Sequence, residues 1–267
     1  MMAQEGFIYE NKAYDALKVY GISTGDPAGA SHDRPDLTIK NAAGKSTGCE
    51  LKNQPTAAGS LVMKYYAGSW GFGDFGDDPE KAFMYGLATK AKLLTEMNKS
   101  GNAGRNWRGK VPALQNDARG KKILAPGFTD KKKAYEYDLK QFGGPNEVHL
   151  EVGGKAVSDY YNTKKTYYIN VGSHGFYLLN NTDPLGLNAK LRAAKLEAIP
   201  QFNTSAKCKI RVRCQYKGGG DYQFVMTLQF YGVQASPYNI APLRPGSNSD
   251  VDTARLKKDP ILLAFRW

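Results

Sequence analysis

The sequence has few cysteines and few histidines, three of each among 267 residues. No two cysteines form a C-x-x-C pair, and an odd count argues against a disulfide framework. The histidines lack zinc-ligand spacing, which argues against a zinc site. The sequence also shows neither an apolar run of membrane-spanning length nor a signal-peptide core near its start. It therefore predicts a soluble protein of a reducing compartment without a membrane partner, in the cytoplasm of a bacterium or a virus-infected cell.

Several enzyme motifs are missing as well, namely G-x-S-x-G, the P-loop and H-E-x-x-H. One G-x-G-x-x-G match is present, at residues 71–76. A dinucleotide site is not expected there, because Asp74, Asp77 and Asp78 would repel a pyrophosphate at the start of the following helix. The match is interpreted as a glycine-rich turn that enters a helix, and such a turn could also approach a DNA backbone closely.

Positive charge is in excess, with 37 Lys and Arg against 25 Asp and Glu and a net charge of +12. This balance favours an anionic partner, and nucleic acid and an acidic membrane surface both qualify. A merely solvated basic surface is the alternative.

Periodicity and turn signals predict the secondary structure. Helices are expected at 6–20, at 79–98 after an Asp78 N-cap, and at 187–196. The strands expected around the first turn are 37–40 and 46–53, with a third at 60–67. Further strands are expected at 148–152, at 166–171 with 176–180, and at 207–217 with 222–233 around Gly218-Gly219-Gly220-Asp221.

An acidic motif lies on the first predicted hairpin, in the stretches Pro35-Asp36 and Glu50-Leu51-Lys52. Side chains alternate along a strand, so Glu50 and Lys52 share a face, and Asp36 can meet Glu50 across the hairpin. Mg²⁺ prefers oxygen ligands and keeps several waters, so two carboxylates from neighbouring strands suffice to hold it. A lysine beside the metal-bound water can orient it or stabilise developing charge. These residues are the minimum set for metal-dependent phosphodiester cleavage. A solvated, inert surface hairpin is the alternative.

The motif resembles that of the PD-(D/E)XK nuclease superfamily, and the resemblance covers about residues 6–65. It implies a helix, a three-stranded meander that carries the motif, a second helix and a further strand. It also implies a Mg²⁺ cofactor, with Mn²⁺ as a substitute ion, and DNA as the partner. Asp36, Glu50 and Lys52 are then the catalytic residues. The metal ligands are Asp36, Glu50 and the Leu51 carbonyl, with Glu10 as the extra acid from the first helix and Asp15 as the weaker candidate.

Two basic segments are candidate nucleic-acid contacts. On the predicted strand 207–217 the odd positions are basic or polar and the even positions apolar, which predicts one buried and one basic face. Residues 99–140 hold eleven positive and four negative side chains, and a flexible solubilising loop is the alternative there. The nucleic-acid-binding candidates are Lys207, Lys209, Arg211, Arg213, Lys121, Lys122, Arg105 and Arg108.

The sequence thus predicts an α/β protein with a restriction-endonuclease-like mixed central sheet flanked by helices and a β-hairpin-rich second half. A single nuclease domain spans 1–267, with a catalytic half at 6–100, a basic insertion or loop at 101–135, and a half at 136–267 that completes the core and contacts DNA. The predicted function is a Mg²⁺-dependent DNA endonuclease. The alternatives are a non-enzymatic nucleic-acid-binding protein, a structure-specific junction resolvase and a cationic packaging protein. Double-strand cutters of this class often work as dimers, which leaves a homodimer open.

Overall fold

The computed structural model describes residues 2–27, 34–98 and 107–266. Helices and strands alternate irregularly along these residues, which confirms a mixed α/β protein. The helices are α1 Met2–Lys18, α2 Pro79–Lys90, α3 Leu93–Met97, α4 Lys131–Phe142, α5 Lys155–Asn162, α6 Leu187–Ala193, α7 Phe202–Ser205, α8 Thr253–Lys258 and α9 Ile261–Arg266. The strands are β1 Ser23–Thr24, β2 Leu37–Lys40, β3 Ser46–Lys52, β4 Ala57–Tyr66, β5 Ser69–Phe72, β6 Leu114–Asn116, β7 Lys122–Leu124, β8 Val148–Val152, β9 Thr166–Val171, β10 Gly175–Leu178, β11 Lys207–Gly218 and β12 Asp221–Tyr231.

The chain forms two compact units that interleave along the sequence. The first unit draws on residues 1–56, 153–207 and 230–267, and the second on 57–152 and 208–229. The prediction instead divided one domain into consecutive stretches, and that single domain stays a prediction.

The first unit is built on a sheet of order β1-β2-β3-β9-β10. Strands β1, β2 and β3 form an antiparallel meander, and β9 then lies parallel to β3. Buried side chains from α1, α6, α8 and α9 pack with those of Cys49 and Leu51 on one face of this sheet. Strand alternation therefore turns Glu50 and Lys52 toward the other face.

One part of the predicted meander was wrong. The strand expected at 60–67 exists as β4, but it pairs with β5 and β12 in the second unit and not with β3. The third strand of the meander is β1, which has only two residues. Strand β4 has ten residues and pairs with the eleven-residue β12 on one side and the four-residue β5 on the other, so tertiary pairing decided its sheet.

The second unit holds a sheet of order β5-β4-β12-β11-β8 and the small pair β6-β7. Its core includes an aromatic cluster of Trp70, Trp107, Phe142 and Phe224, whose ring centroids lie 4.8–5.8 Å apart. The hairpin predicted around Gly218-Gly219-Gly220-Asp221 is confirmed, with buried even positions from Cys208 to Cys214 and less buried odd positions, whereas Tyr216 is exposed.

The predicted basic insertion at 101–135 is corrected over the part that the structure describes. Trp107 is buried and its indole N–H donates to the Asn146 carbonyl at 2.8 Å. Strands β6 and β7 follow, and Asp138 of α4 accepts the Ala113 and Leu114 amides at 2.7 and 2.9 Å. Burial of a large aromatic side chain and satisfaction of buried amides outweigh the basic, glycine-rich composition that suggested a loop. Residues 99–106 lie outside the described residues.

The predicted helix at 79–98 is also interrupted. Asp78 caps α2 as expected, accepting the amides of Glu80 and Lys81 at 3.0 and 3.1 Å. The helix ends at Lys90, Lys92 takes a left-handed φ of 52°, and α3 then begins at Leu93. A left-handed backbone at a residue other than glycine breaks the helix in a way that the apolar periodicity does not predict.

Candidate metal and nuclease centre

The structure brings Asp36, Glu50 and Lys52 together on one sheet. Leu37 pairs with Cys49 across β2 and β3, so Asp36 stands one step further along, opposite Glu50. The Lys52 ammonium donates to Glu50 Oε1 at 2.5 Å and lies 3.4 Å from Asp36 Oδ2. The three predicted catalytic side chains thus form one charge cluster, in which a single cation lies between two carboxylates.

The backbone holds Asp36 in place. Its Oδ2 atom also accepts the Leu51 amide at 2.8 Å, which ties the carboxylate to the strand that carries Glu50 and Lys52. Behind it, Pro35 packs against Gly48, where a Cβ atom would lie only 2.7 Å from the Pro35 Cγ. Glycine at position 48 therefore permits the close approach that positions the Pro-Asp step.

We expect Gly48→Ala to lower any metal-dependent activity at least tenfold, because the rigid Pro35 ring has to move and carries Asp36 with it. Cleavage rate and metal affinity measure this effect. Gly6→Ala is the matched control, since a Cβ at Gly6 meets nothing within 4 Å. If folded Gly48→Ala protein kept the wild-type rate, the position of the Pro35 ring would not matter for the chemistry.

Burial makes this cluster electrostatically unusual. Glu50 is only 3% exposed, and the side chains of Asp36 and Lys52 are 15% and 16% exposed. Glu50 Oε2 is buried and has no hydrogen-bond partner among the described residues. An orphaned carboxylate oxygen is costly, because burial removes its water without replacing it. It is also a hard oxygen of the kind that Mg²⁺ binds, so the donor set fits that ion.

The pKa values reflect this crowding. Burial, followed by the negative charge of Asp36, raises the pKa of Glu50 to about 7. The same two causes raise the pKa of Glu10 to about 8. Burial alone would lower the pKa of Lys52, but Asp36 and Glu50 outweigh it and hold that pKa well above its usual value. Lys52 therefore stays an ammonium at neutral pH.

Glu10 interacts electrostatically with the cluster because α1 is anchored close to it. The buried Tyr9 hydroxyl donates to the Ala241 carbonyl at 2.7 Å and accepts from Asn170 Nδ2 at 3.0 Å. Asn170 lies on β9 as the register partner of Leu51. Asp15, the weaker candidate, is exposed further along α1.

The sequence did not predict that two further residues influence the cluster. Tyr161 of α5 is fully buried, its hydroxyl has no partner among the described residues, and burial together with the Glu50 charge raises its pKa. The positive charge of Lys164 lowers the pKa of Glu50. Both lie more than 100 residues beyond the motif, and no local pattern connects them to it.

No group of three His, Cys, Asp or Glu side chains in the described ranges is arranged to hold a metal ion, and this includes Glu10, Asp36 and Glu50. The cluster itself offers two close carboxylates with a lysine between them. A cation at this site would therefore need backbone or water oxygens in addition, as Mg²⁺ commonly accepts.

The raised carboxylate pKa values give a pH prediction for the metal-free protein. A carboxyl group whose folded pKa lies above its unfolded value stabilises the fold at low pH, and that contribution is lost as pH rises toward the folded pKa. We expect the free energy of unfolding to fall from pH 6.5 to pH 8 by on the order of 1 kcal/mol. Urea denaturation of the wild type and Glu10→Gln checks it, since the variant should show a weaker decline. A steeper decline in Glu10→Gln would contradict this assignment.

The predicted basic face of β11 is partly engaged within the second unit. Arg211 donates to both Glu147 oxygens, at 2.6 and 2.9 Å. Arg213 is half-buried, and burial followed by the charge of Arg211 lowers its pKa. Lys207 is exposed and Lys209 is partly exposed. Part of this face is therefore occupied by contacts within the protein, which its composition does not indicate. Its role in DNA binding stays a prediction.

The other predicted contacts differ in availability. Lys121 and Arg108 are exposed. Lys122 donates to Asp221 at 2.9 Å and to the Tyr222 carbonyl at 2.8 Å, so its ammonium is largely occupied. Arg105 lies outside the described residues.

Comparison of the chain with protein-family models, curated proteins and solved structures found no significant match. In the described parts of the chain, no helix combines the length and the apolar character that crossing a bilayer requires.

Proposed function

We propose that the chain is a Mg²⁺-dependent DNA endonuclease of the PD-(D/E)XK type, which hydrolyses phosphodiester bonds. One observation carries the proposal: Asp36, Glu50 and Lys52 converge on adjacent strands, with a buried and unpaired carboxylate oxygen among them. Perturbed carboxylates around a cation are typical of functional sites.

The order of elements in the first unit supports the proposal. Helix α1, the meander β1-β2-β3, helix α5 and strand β9 follow the order helix, three strands, helix and strand that the resemblance implies. Residues 57–152 of the second unit lie between β3 and α5 along the sequence. The second helix of this order is therefore α5 and not the helix expected at 79–98.

In this proposal, Asp36, Glu50 and the Leu51 carbonyl hold the metal, with Glu10 as the additional acid. The bound ion supplies charge neutralisation at the phosphate and a more acidic water. Ionised carboxylates are needed to hold a cation, so binding must expel protons from Glu50 and Glu10 near neutral pH. Metal affinity should accordingly increase with pH between about 6.5 and 8.5.

Lys52 has a distinct role. Because its pKa is raised, it is charged at neutral pH and cannot accept a proton from water. Its ammonium instead orients the attacking water and donates to phosphate oxygens as negative charge develops there. In the metal-free protein the same ammonium serves as the counter-ion of both carboxylates.

DNA as the substrate is supported by the net charge of +12. The test uses a labelled linear duplex and a labelled four-way junction, each with Mg²⁺ or with EDTA. We expect metal-dependent cleavage of the duplex by the wild type and none by Glu50→Gln. Cleavage of the junction alone would favour a resolvase, and binding without cleavage of either substrate would favour a nucleic-acid-binding protein.

A further inference from the structure

The second unit contains a groove that the proposed nuclease centre does not use. It has a volume of about 920 Å³, which is within the range of small-ligand sites. The turn that matches G-x-G-x-x-G, the kink between α2 and α3, and the turn at residues 117–120 all contribute to its wall.

Aromatic rings line one side of this groove. Tyr85 is 45% exposed, and its ring lies 5.5 Å from Phe72 and 5.6 Å from Phe75. Tyr66, 51% exposed, also lies in the wall. Exposed rings in a concave site offer flat apolar faces on which a nucleobase can stack.

A tryptophan from the core of the second unit also contributes to the wall of the groove. Trp70 is part of the wall, is nine-tenths buried, and its indole N–H has no hydrogen-bond acceptor among the described residues. This N–H is shielded from solvent and the ring packs in the core against Trp107 and Phe224, so Trp70 supports the wall and offers no donor to a ligand.

Cations complete the site. Lys64, Lys92 and Arg119 line the groove, and none makes an ion pair with a described residue. Gly73 and Gly120 leave space for the Lys64 side chain, because a Cβ there would lie 3.3 Å from Cε and 2.6 Å from Nζ respectively. Lys92 is held at the kink by its left-handed backbone, which is a strained conformation of the kind found at functional sites.

Two carboxylates are also in the wall, and both make local turn contacts. Asp117 Oδ1 accepts the amides of Arg119 and Lys121, and Asp74 Oδ1 accepts the amide of Gly76. The three cationic side chains of the wall thus outnumber its two carboxylates, whose oxygens are potential acceptors for base amino groups.

We infer that this groove binds an unpaired nucleotide of a DNA strand, with the base stacked on the exposed ring of Tyr85 and its phosphates near Lys64, Lys92 and Arg119. The inference deepens the proposed function, because it makes an unpaired strand part of the substrate. Rings and cations together fit this ligand class better than an apolar peptide, which would leave the three cations without counter-charges.

The test measures fluorescence anisotropy of a labelled oligo-dT in EDTA with the full-length protein, so that cleavage plays no part. Tyr85→Ala should weaken binding at least fivefold, and Tyr85→Phe should bind like the wild type. Lys92→Gly, which also relieves the left-handed strain, should reduce the slope of log affinity against log salt by about 0.7. Tyr137→Ala and Lys90→Ala are matched controls outside the groove and should change little.

Three results would overturn the inference: an unaltered affinity for the oligonucleotide in Tyr85→Ala, an equal loss of duplex and oligonucleotide binding in Tyr85→Ala, or dTMP competing as well as the oligonucleotide. The groove inference and the nuclease proposal can also be disproved independently of each other. Groove-dependent binding by a protein that cleaves no DNA would remove the proposed function alone, and cleavage with groove-independent binding would remove the groove inference alone.

Discussion

Lys52→Ala is expected to lower the DNA cleavage rate a hundredfold or more while leaving DNA binding nearly unchanged. The ammonium lies within hydrogen-bond distance of Glu50 and near Asp36, so in the proposed centre it lies beside two of the metal ligands. Removal of one preorganised hydrogen-bond donor that faces developing negative charge commonly lowers the rate by a factor of about 10²–10³. One lysine among 37 Lys and Arg contributes little to overall attraction for DNA.

Initial rates of plasmid nicking at saturating Mg²⁺ measure the loss, and gel retardation in Ca²⁺ or EDTA measures binding. Lys45→Ala is the matched control, because Lys45 is exposed on the turn between β2 and β3. Removing Lys52 leaves two buried carboxylates without their counter-ion, so a urea titration must first show that the variant is folded. Loss of binding together with cleavage in a folded variant would contradict the role given to Lys52.

Asp36→Asn is expected to weaken Mg²⁺ or Mn²⁺ binding by about a hundredfold or more. The substitution keeps the shape and can still accept the Leu51 amide, so it removes one of two close negative charges with little change in position. Mutation of a residue that only orients a metal ligand lowers metal affinity by about 10–100-fold, and loss of a direct ligand should lower it further.

Calorimetric titration with Mn²⁺ in two buffers of different ionisation enthalpy measures both the affinity and the protons released. The wild type should release protons at pH 7 as Glu50 and Glu10 ionise, and Asp36→Asn should release fewer. Asp15→Asn, on the exposed side of α1, is the matched control and should titrate like the wild type. An unchanged curve in Asp36→Asn would remove Asp36 from the ligand set.

Strictly periodic segments were the most predictable part of the fold. Alternation along 207–217 and the Gly218-Gly219-Gly220-Asp221 turn located β11, β12 and their hairpin within a residue or two. The turn predicted between the strands 37–40 and 46–53 likewise located β2 and β3, whose register then placed Asp36 opposite Glu50. In both cases the information is local, because a two-residue period and a turn specify which side chains share a face.

Long-range pairing was not predictable in the same way. The meander is completed by a two-residue strand with no pattern of its own, and β3 finds its parallel partner β9 more than 100 residues later. Trp107 is buried in a segment that looked like a basic loop, because its neighbours in the aromatic cluster come from distant positions. Tyr161 and Lys164 approach the cluster for the same reason, and only tertiary structure reveals them.

The most direct test of the central claim is incubation of supercoiled plasmid with the wild type and with Asp36→Asn, in Mg²⁺ and in EDTA. We predict nicked and linear products only with the wild type in Mg²⁺, and discrete bands would indicate defined cleavage sites. Intact plasmid in every lane, or equal cleavage by Asp36→Asn, would contradict a metal-dependent nuclease centre at Asp36, Glu50 and Lys52.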